Sequence, residues 1–165
     1  ANNCRATKVR VKTYFLLKPP FLTEDETVED IVRSVKDAAP YSDILSVNPT
    51  NVQKFTLVEN LWKEREFRAP WLWSVLEVVR RAKPLSGNAV LKSDPVGGGG
   101  QRGAHNCGKC DARILGHIEN YNTTQDIAFI EAAETIDCSC KPLYRTVRRL
   151  EGYLVGSTFT GPDRE

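Results

Sequence analysis

KVRVKTYFLLKPPFLTEDETVEDIVRSVKDAAPYSDILSV, residues 8–47, is the stretch on which the fold turns. Residues 8–17 start with polar–apolar alternation and end in an apolar run, the pattern of a mostly buried strand. Lys18-Pro19-Pro20-Phe21 breaks it. Thr23 then stands as an N-cap, and Glu24, Asp25 and Glu26 fill a first turn where acidic groups suit the helix dipole. Val28, Ile31, Val32 and Val35 recur at helical spacing, predicting a helix over 24–38 that Pro40 stops. The short branched run Asp43-Ile44-Leu45-Ser46-Val47 predicts a second strand. Strand, helix and strand joined by a crossover of this length make a right-handed βαβ unit, hence a parallel sheet.

Downstream, two further helices are expected over 56–66 and 71–82, with Pro70 at the first turn of the second. Trp71, Leu72, Trp73, Val75, Leu76 and Val79 give that second helix its apolar face. A last strand is expected over 88–93. Residues 94–103, DPVGGGGQRG, read as a mobile Gly-rich loop, because no P-loop Lys-Ser/Thr follows the four glycines. Helices over about 110–120, 124–135 and 141–154 follow. The expected class is α/β, with domain 1–96, linker 97–103, a helical domain 104–157 and a disordered tail 158–165.

The chain has 165 residues, a formal net charge of +2 and no Met. That charge is too small to argue for nucleic acid by itself. The missing Met, at position 1 as elsewhere, suggests a chain that begins inside a longer protein. No secretory h-region opens it and no apolar run approaches ~18 residues, so a cytoplasmic protein without membrane contact is expected.

The second half is organised by two cysteine pairs, Cys107-Gly108-Lys109-Cys110 and Cys138-Ser139-Cys140. A tetrahedral zinc takes four such ligands with no open position, and the spacing predicts a closed structural site. An iron–sulfur cluster and a pair of disulfides are the alternatives; a reducing compartment disfavours disulfides. His105 is a possible substitute ligand, and Cys4 reads as a buried or frayed thiol. Lys141, Arg145, Arg148 and Arg149 cluster after the second pair, either as a solvated helix face or as phosphate contacts for RNA. In parallel βα folds working residues stand at the C-terminal ends of strands. Here those ends carry Lys18 and, within 48–53, Asn48, Asn51 and Gln53, side chains able to hold a carboxylate, ribose or base. No Ser/His/Asp order, HExxH or GxGxxG names a reaction, and His117 falls on a helix face beside Ile114 and Ile118 as a core histidine would.

VKTYFLLKPPFLTEDETVEDIVRSV, LSVNPTNVQKFTLVENLWKEREFRAPWLWSVLEVV and DPVGGGGQRGAHNCGKCD together resemble the C-terminal half of the Elp3-related radical SAM family, in particular its archaeosine-biosynthesis branch. The blocks cover roughly residues 8–111. The resemblance implies the later part of a partial (β/α) barrel, S-adenosylmethionine and a [4Fe–4S] cluster. It further implies a lyase that cleaves a C–N bond in a lysine-modified 7-deazaguanine of tRNA, working with the enzyme that attaches the lysine. The cluster motif CxxxCxxC is absent, and the four cysteines do not have its spacing. The chain is therefore expected to be a fragment that is inactive alone, with Lys18, Asn48, Asn51 and Gln53 at the barrel mouth, facing the cofactor. The alternatives are a zinc-containing tRNA-binding accessory module and another activity of the same family.

Overall fold

The computed structural model describes residues 9–151. Cys4, Lys8, the end of the last expected helix and the tail lie outside them. Three strands, β1 (Lys12–Leu17), β2 (Ile44–Pro49) and β3 (Val90–Ser93), form a parallel sheet in that order. Helix α1 (Glu24–Ala38) connects β1 to β2. Helices α2 (Leu57–Lys63) and α3 (Leu72–Ala82) connect β2 to β3. Then come α4 (Asp111–Thr124), α5 (Ala128–Glu134) and α6 (Cys140–Glu151). The expected α/β class with a parallel sheet is present.

Local chemistry sets these elements. Thr23 accepts the Glu26 N–H at 3.1 Å while the Glu26 carboxylate accepts the Thr23 N–H at 2.9 Å, a reciprocal cap that fixes where α1 starts. At α3 the expected placement shifts. Trp71 is the N-cap and Pro70 stands one residue before it, its carbonyl accepting the His105 N–H at 3.1 Å.

Because strand side chains alternate, the sheet has two unlike faces. Leu45, Val47, Leu91 and Leu17 are wholly buried under α1 and α3, which pack on each other. On the other face Tyr14 and Leu16 are 64% and 52% exposed, beside Lys12, whose ammonium lies 4.5 Å over the Tyr14 ring. Helix α4 packs against β3 and α3, and one continuous apolar core runs from Leu17 through α3 and α4 to Tyr144 of α6, taking in Cys110 and Cys140. A smaller cluster of Val52, Phe67 and Ala69 sits under α2. No helix among the described residues is long and apolar enough to cross a membrane.

Candidate metal centre and strand-end groove

Both cysteine pairs sit at helix starts. Cys107 and Cys110 flank a turn in which Gly108 has φ +85°. Buried Asp111, the first residue of α4, accepts the Asn106 N–H at 3.0 Å and the Gly108 N–H at 3.1 Å, so one carboxylate shapes the whole knuckle. Cys140 opens α6, with Cys138 just before it. The sulfur separations are 3.5 Å for Cys107–Cys138, 3.5 Å for Cys138–Cys140 and 3.7 Å for Cys110–Cys140. All four sulfurs lie within 4.8 Å of one another, and the thiols are free. Four thiolates about 2.3 Å from one tetrahedral zinc stand roughly 3.8 Å apart, so the cradle fits a single zinc-sized ion. His105 is not in the group; its Nδ1 lies 2.8 Å from the Gly103 carbonyl.

The sulfurs are also addressed from behind. Asn106 Nδ2 donates to Cys110 Sγ and Trp73 Nε1 to Cys140 Sγ, each at 3.4 Å. Such donors orient the ligands and spread thiolate charge. Burial pushes the Cys110 thiol up to about 11 and Cys140 up as well. At exposed Cys107 burial also pushes upward, but hydrogen bonds from the backbone of Lys109, from Cys138 and Cys140 and from the backbone of Cys110 win, bringing it down to about 7.

The strand-end residues separate. Asn51 and Gln53, just after β2, line an open groove of about 800 Å³ together with Trp62 of α2 and the glycine loop after β3. Arg102 closes its floor: the guanidinium lies 4.7 Å over the Trp62 ring, Nη2 donates to Glu59 Oε1 at 2.8 Å, and Nη1 to the Val52 carbonyl at 3.2 Å. The stretch expected to be a mobile linker forms a chain of turns, with Gly98 N–H on Pro95 O, Gly100 N–H on Gly97 O and Gly99 N–H on Ala104 O. A Cβ on Gly103 would collide with the Gly97 carbonyl, so only glycine lets the loop fold back this tightly. Asn48 lies elsewhere, on the uncovered sheet face, where Ser46 Oγ reaches Asn48 Oδ1 at 3.3 Å and Asp94 Oδ2 at 3.5 Å. Lys18 is 4% exposed and ion-paired with Glu24 at 2.9 Å and Glu151 at 2.7 Å. Burial pulls its pKa down, but the charges of Glu24 and Glu151 outweigh this and raise it. The amides of Asn51 and Gln53 thus share one site, whereas Asn48 and Lys18 do not join it. Sequence reasoning missed Trp62 and Arg102, which carry no spacing signal of their own.

The basic cluster divides too. Lys141 donates to the Glu134 carbonyl and lies 5.0 Å over the Trp73 ring. Arg148 is bound to Asp25, Glu77 and the Tyr144 hydroxyl. Arg145 and Arg149 are exposed, flanked by Leu143 and Leu150, which are 55% and 42% exposed.

Over 157 residues, 95% of the chain, it is 44% identical to a protein named archaeosine synthase subunit beta from Methanosarcina acetivorans. Over 123 residues, 74% of the chain, it is 49% identical to a protein of the same name from Thermococcus kodakarensis. The chain spans only 44% and 38% of those relatives' own lengths. No protein-family model and no solved structure matches it.

Proposed function

This chain is homologous, over nearly its whole length, to proteins named archaeosine synthase subunit beta, and from that premise we propose that it is part of a tRNA-modifying radical SAM enzyme of archaeosine biosynthesis. The observation that carries the reading is the 44% identity across 95% of the chain. The reaction proposed is cleavage of a C–N bond in a lysine-modified 7-deazaguanine of tRNA, giving the formamidine of archaeosine, after a partner enzyme has attached the lysine. S-adenosylmethionine and a [4Fe–4S] cluster would supply the radical chemistry. The cluster's ligands are not in this chain.

What the chain's own residues supply is wall, grip and anchorage. The parallel sheet, with helices on one face and none packed on the other among the described residues, suits a segment of a barrel whose interior lies toward Tyr14, Leu16 and Asn48. Asn51 and Gln53 present amides in the strand-end groove, and Trp62 with Arg102 gives a flat surface for a ring; these are the residues proposed to position cofactor or nucleoside. Cys107, Cys110, Cys138 and Cys140 hold structural zinc. Arg145 and Arg149 are proposed to touch tRNA phosphate, which also favours the accessory reading in which this helical part grips RNA. The location proposed is the cytoplasm.

The test uses the full-length relative. With S-adenosylmethionine, a reductant and tRNA carrying the lysine adduct, nucleoside mass spectrometry should show archaeosine, and the 165-residue chain alone should yield none. Unchanged adduct with an intact cluster rejects the reaction. Asn51→Ala with Gln53→Ala should weaken cofactor or substrate binding, and unaltered KM and turnover would reject the groove.

A further inference from the structure

One carboxylate of this chain is bound as a ligand's carboxylate would be. Glu151, in α6, sets Oε1 2.7 Å from Lys18 Nζ, while its Oε2 accepts the Glu24 N–H at 2.7 Å. Glu24 is the first residue of the 15-residue α1, so that N–H sits at the positive end of a helix dipole. The receiving half is built without help from Glu151. Lys18 is steadied by Glu24 Oε1 at 2.9 Å, and Glu24, wholly buried, accepts the Trp71 N–H at 3.3 Å and the Ser74 hydroxyl.

A cleft of about 130 Å³ opens beside this pair, lined among others by Lys18, Phe21, Arg65, Arg68 and Glu151. Lys18, Phe21 and Arg65 all hold left-handed backbone, with φ of 57°, 74° and 65°. Side chains adopt that region at a cost, and such residues gather at ligand clamps and switches. Without Glu151, Lys18 would keep Glu24 as its acidic partner at 2.9 Å, and Arg68 would keep its bonds to the Ala69, His105 and Asn106 carbonyls. The cleft stands at the end of β1, at the same edge of the sheet as the groove following β2 and β3.

We infer that this cleft is a carboxylate-binding site in which Glu151 is an internal occupant, displaceable by the carboxylate of a small acid. Two-point capture, one oxygen on an ammonium and one on a helix amide, is shaped for a planar carboxylate. Tethered Glu151 competes at a high effective concentration, so a free acid binds the native chain weakly and a chain relieved of Glu151 more tightly. The inference does not depend on the radical SAM reading.

The probe is acetate, titrated into the zinc-loaded protein while the Glu24 amide is followed by NMR. In E151Q acetate should move that amide back toward its native position with at least ~tenfold lower half-saturation than in the native protein. Adding Lys18→Met should erase the gain. An E151Q response no larger than that of the double variant overturns the site. So does an equal response to inorganic phosphate, which would mark an unselective cationic patch. Should E151Q lose its amide dispersion, E151D serves instead, since it keeps the charge on a shorter arm. Acetate must then half-saturate earlier than in the native protein, and equal half-saturation overturns the inference.

Discussion

Trp73 and Asn106 decide how the cysteine cradle behaves, although neither is a ligand. Each aims an N–H at a sulfur, at 3.4 Å, and removing such an outer donor commonly costs 10–100-fold in metal affinity. Trp73→Phe keeps the ring and loses the donor. It should weaken zinc binding by about tenfold in a chelator competition while leaving far-UV dichroism unchanged. The pH sense follows from the thiols. A metal takes thiolates, and Cys110, held up to about 11 by burial, is protonated at neutral pH, so zinc loading expels protons and affinity rises with pH. A flat affinity between pH 6 and 8 would contradict the site. Protein purified without added metal should carry about one zinc per chain, lost in the Cys107→Ser, Cys138→Ser double variant. The four cysteines were legible in the sequence as a possible metal site because their spacing is itself the chemistry. Trp73 was not, because a tryptophan at helical spacing reads as core, and here it is core as well, 4% exposed.

Among the elements, the strands and helices followed from local pattern wherever one face was apolar and the caps were strong, as at Thr23. The glycine loop did not. Composition says that Gly97–Gly100 can bend, but not that Arg102 and Glu59 will hold the bend in place. Glu59 accepts the Phe55 N–H at 2.9 Å and Arg102 at 2.8 Å, and that backbone donor, then Arg102, keep its carboxyl down at about 2. A carboxyl whose folded pKa lies below its unfolded value of about 4.3 stabilises the fold above that value. The contribution disappears as the pH falls through about 2. E59Q should therefore melt below the native protein at pH 6, with the gap closing progressively below pH 4. A gap of constant size would show that Glu59 acts through packing rather than charge. Lys18 was equally hard to read. Strand-end position was plain in the sequence, while its two acidic partners, Glu24 and the distant Glu151, meet it only after folding.

At the scale of the whole molecule, the sheet face of Tyr14 and Leu16 and the outer side of α6 offer exposed surface among the described residues. Arg145 and Arg149 project from α6, whereas Arg148 is spent on Asp25 and Glu77. Charge reversal at Arg145 and Arg149 should lower tRNA affinity and flatten its salt dependence by about two phosphate contacts in a filter-binding series. Reversal at Arg148 should chiefly lower the melting temperature. An unchanged salt slope after the first pair of changes would remove tRNA from that surface. Helix α6 also has a less visible property, the spacing of two of its residues. Cys140 and Glu151 are eleven residue steps apart along it, which sets a ruler of roughly 16 Å between the cysteine cradle and the Lys18 cleft. Inserting or deleting one residue would slide one end by roughly 1.5 Å and turn it by roughly 100°, so both ends could not be seated together. Natural variants of this chain should accordingly keep the count between Cys140 and Glu151 fixed.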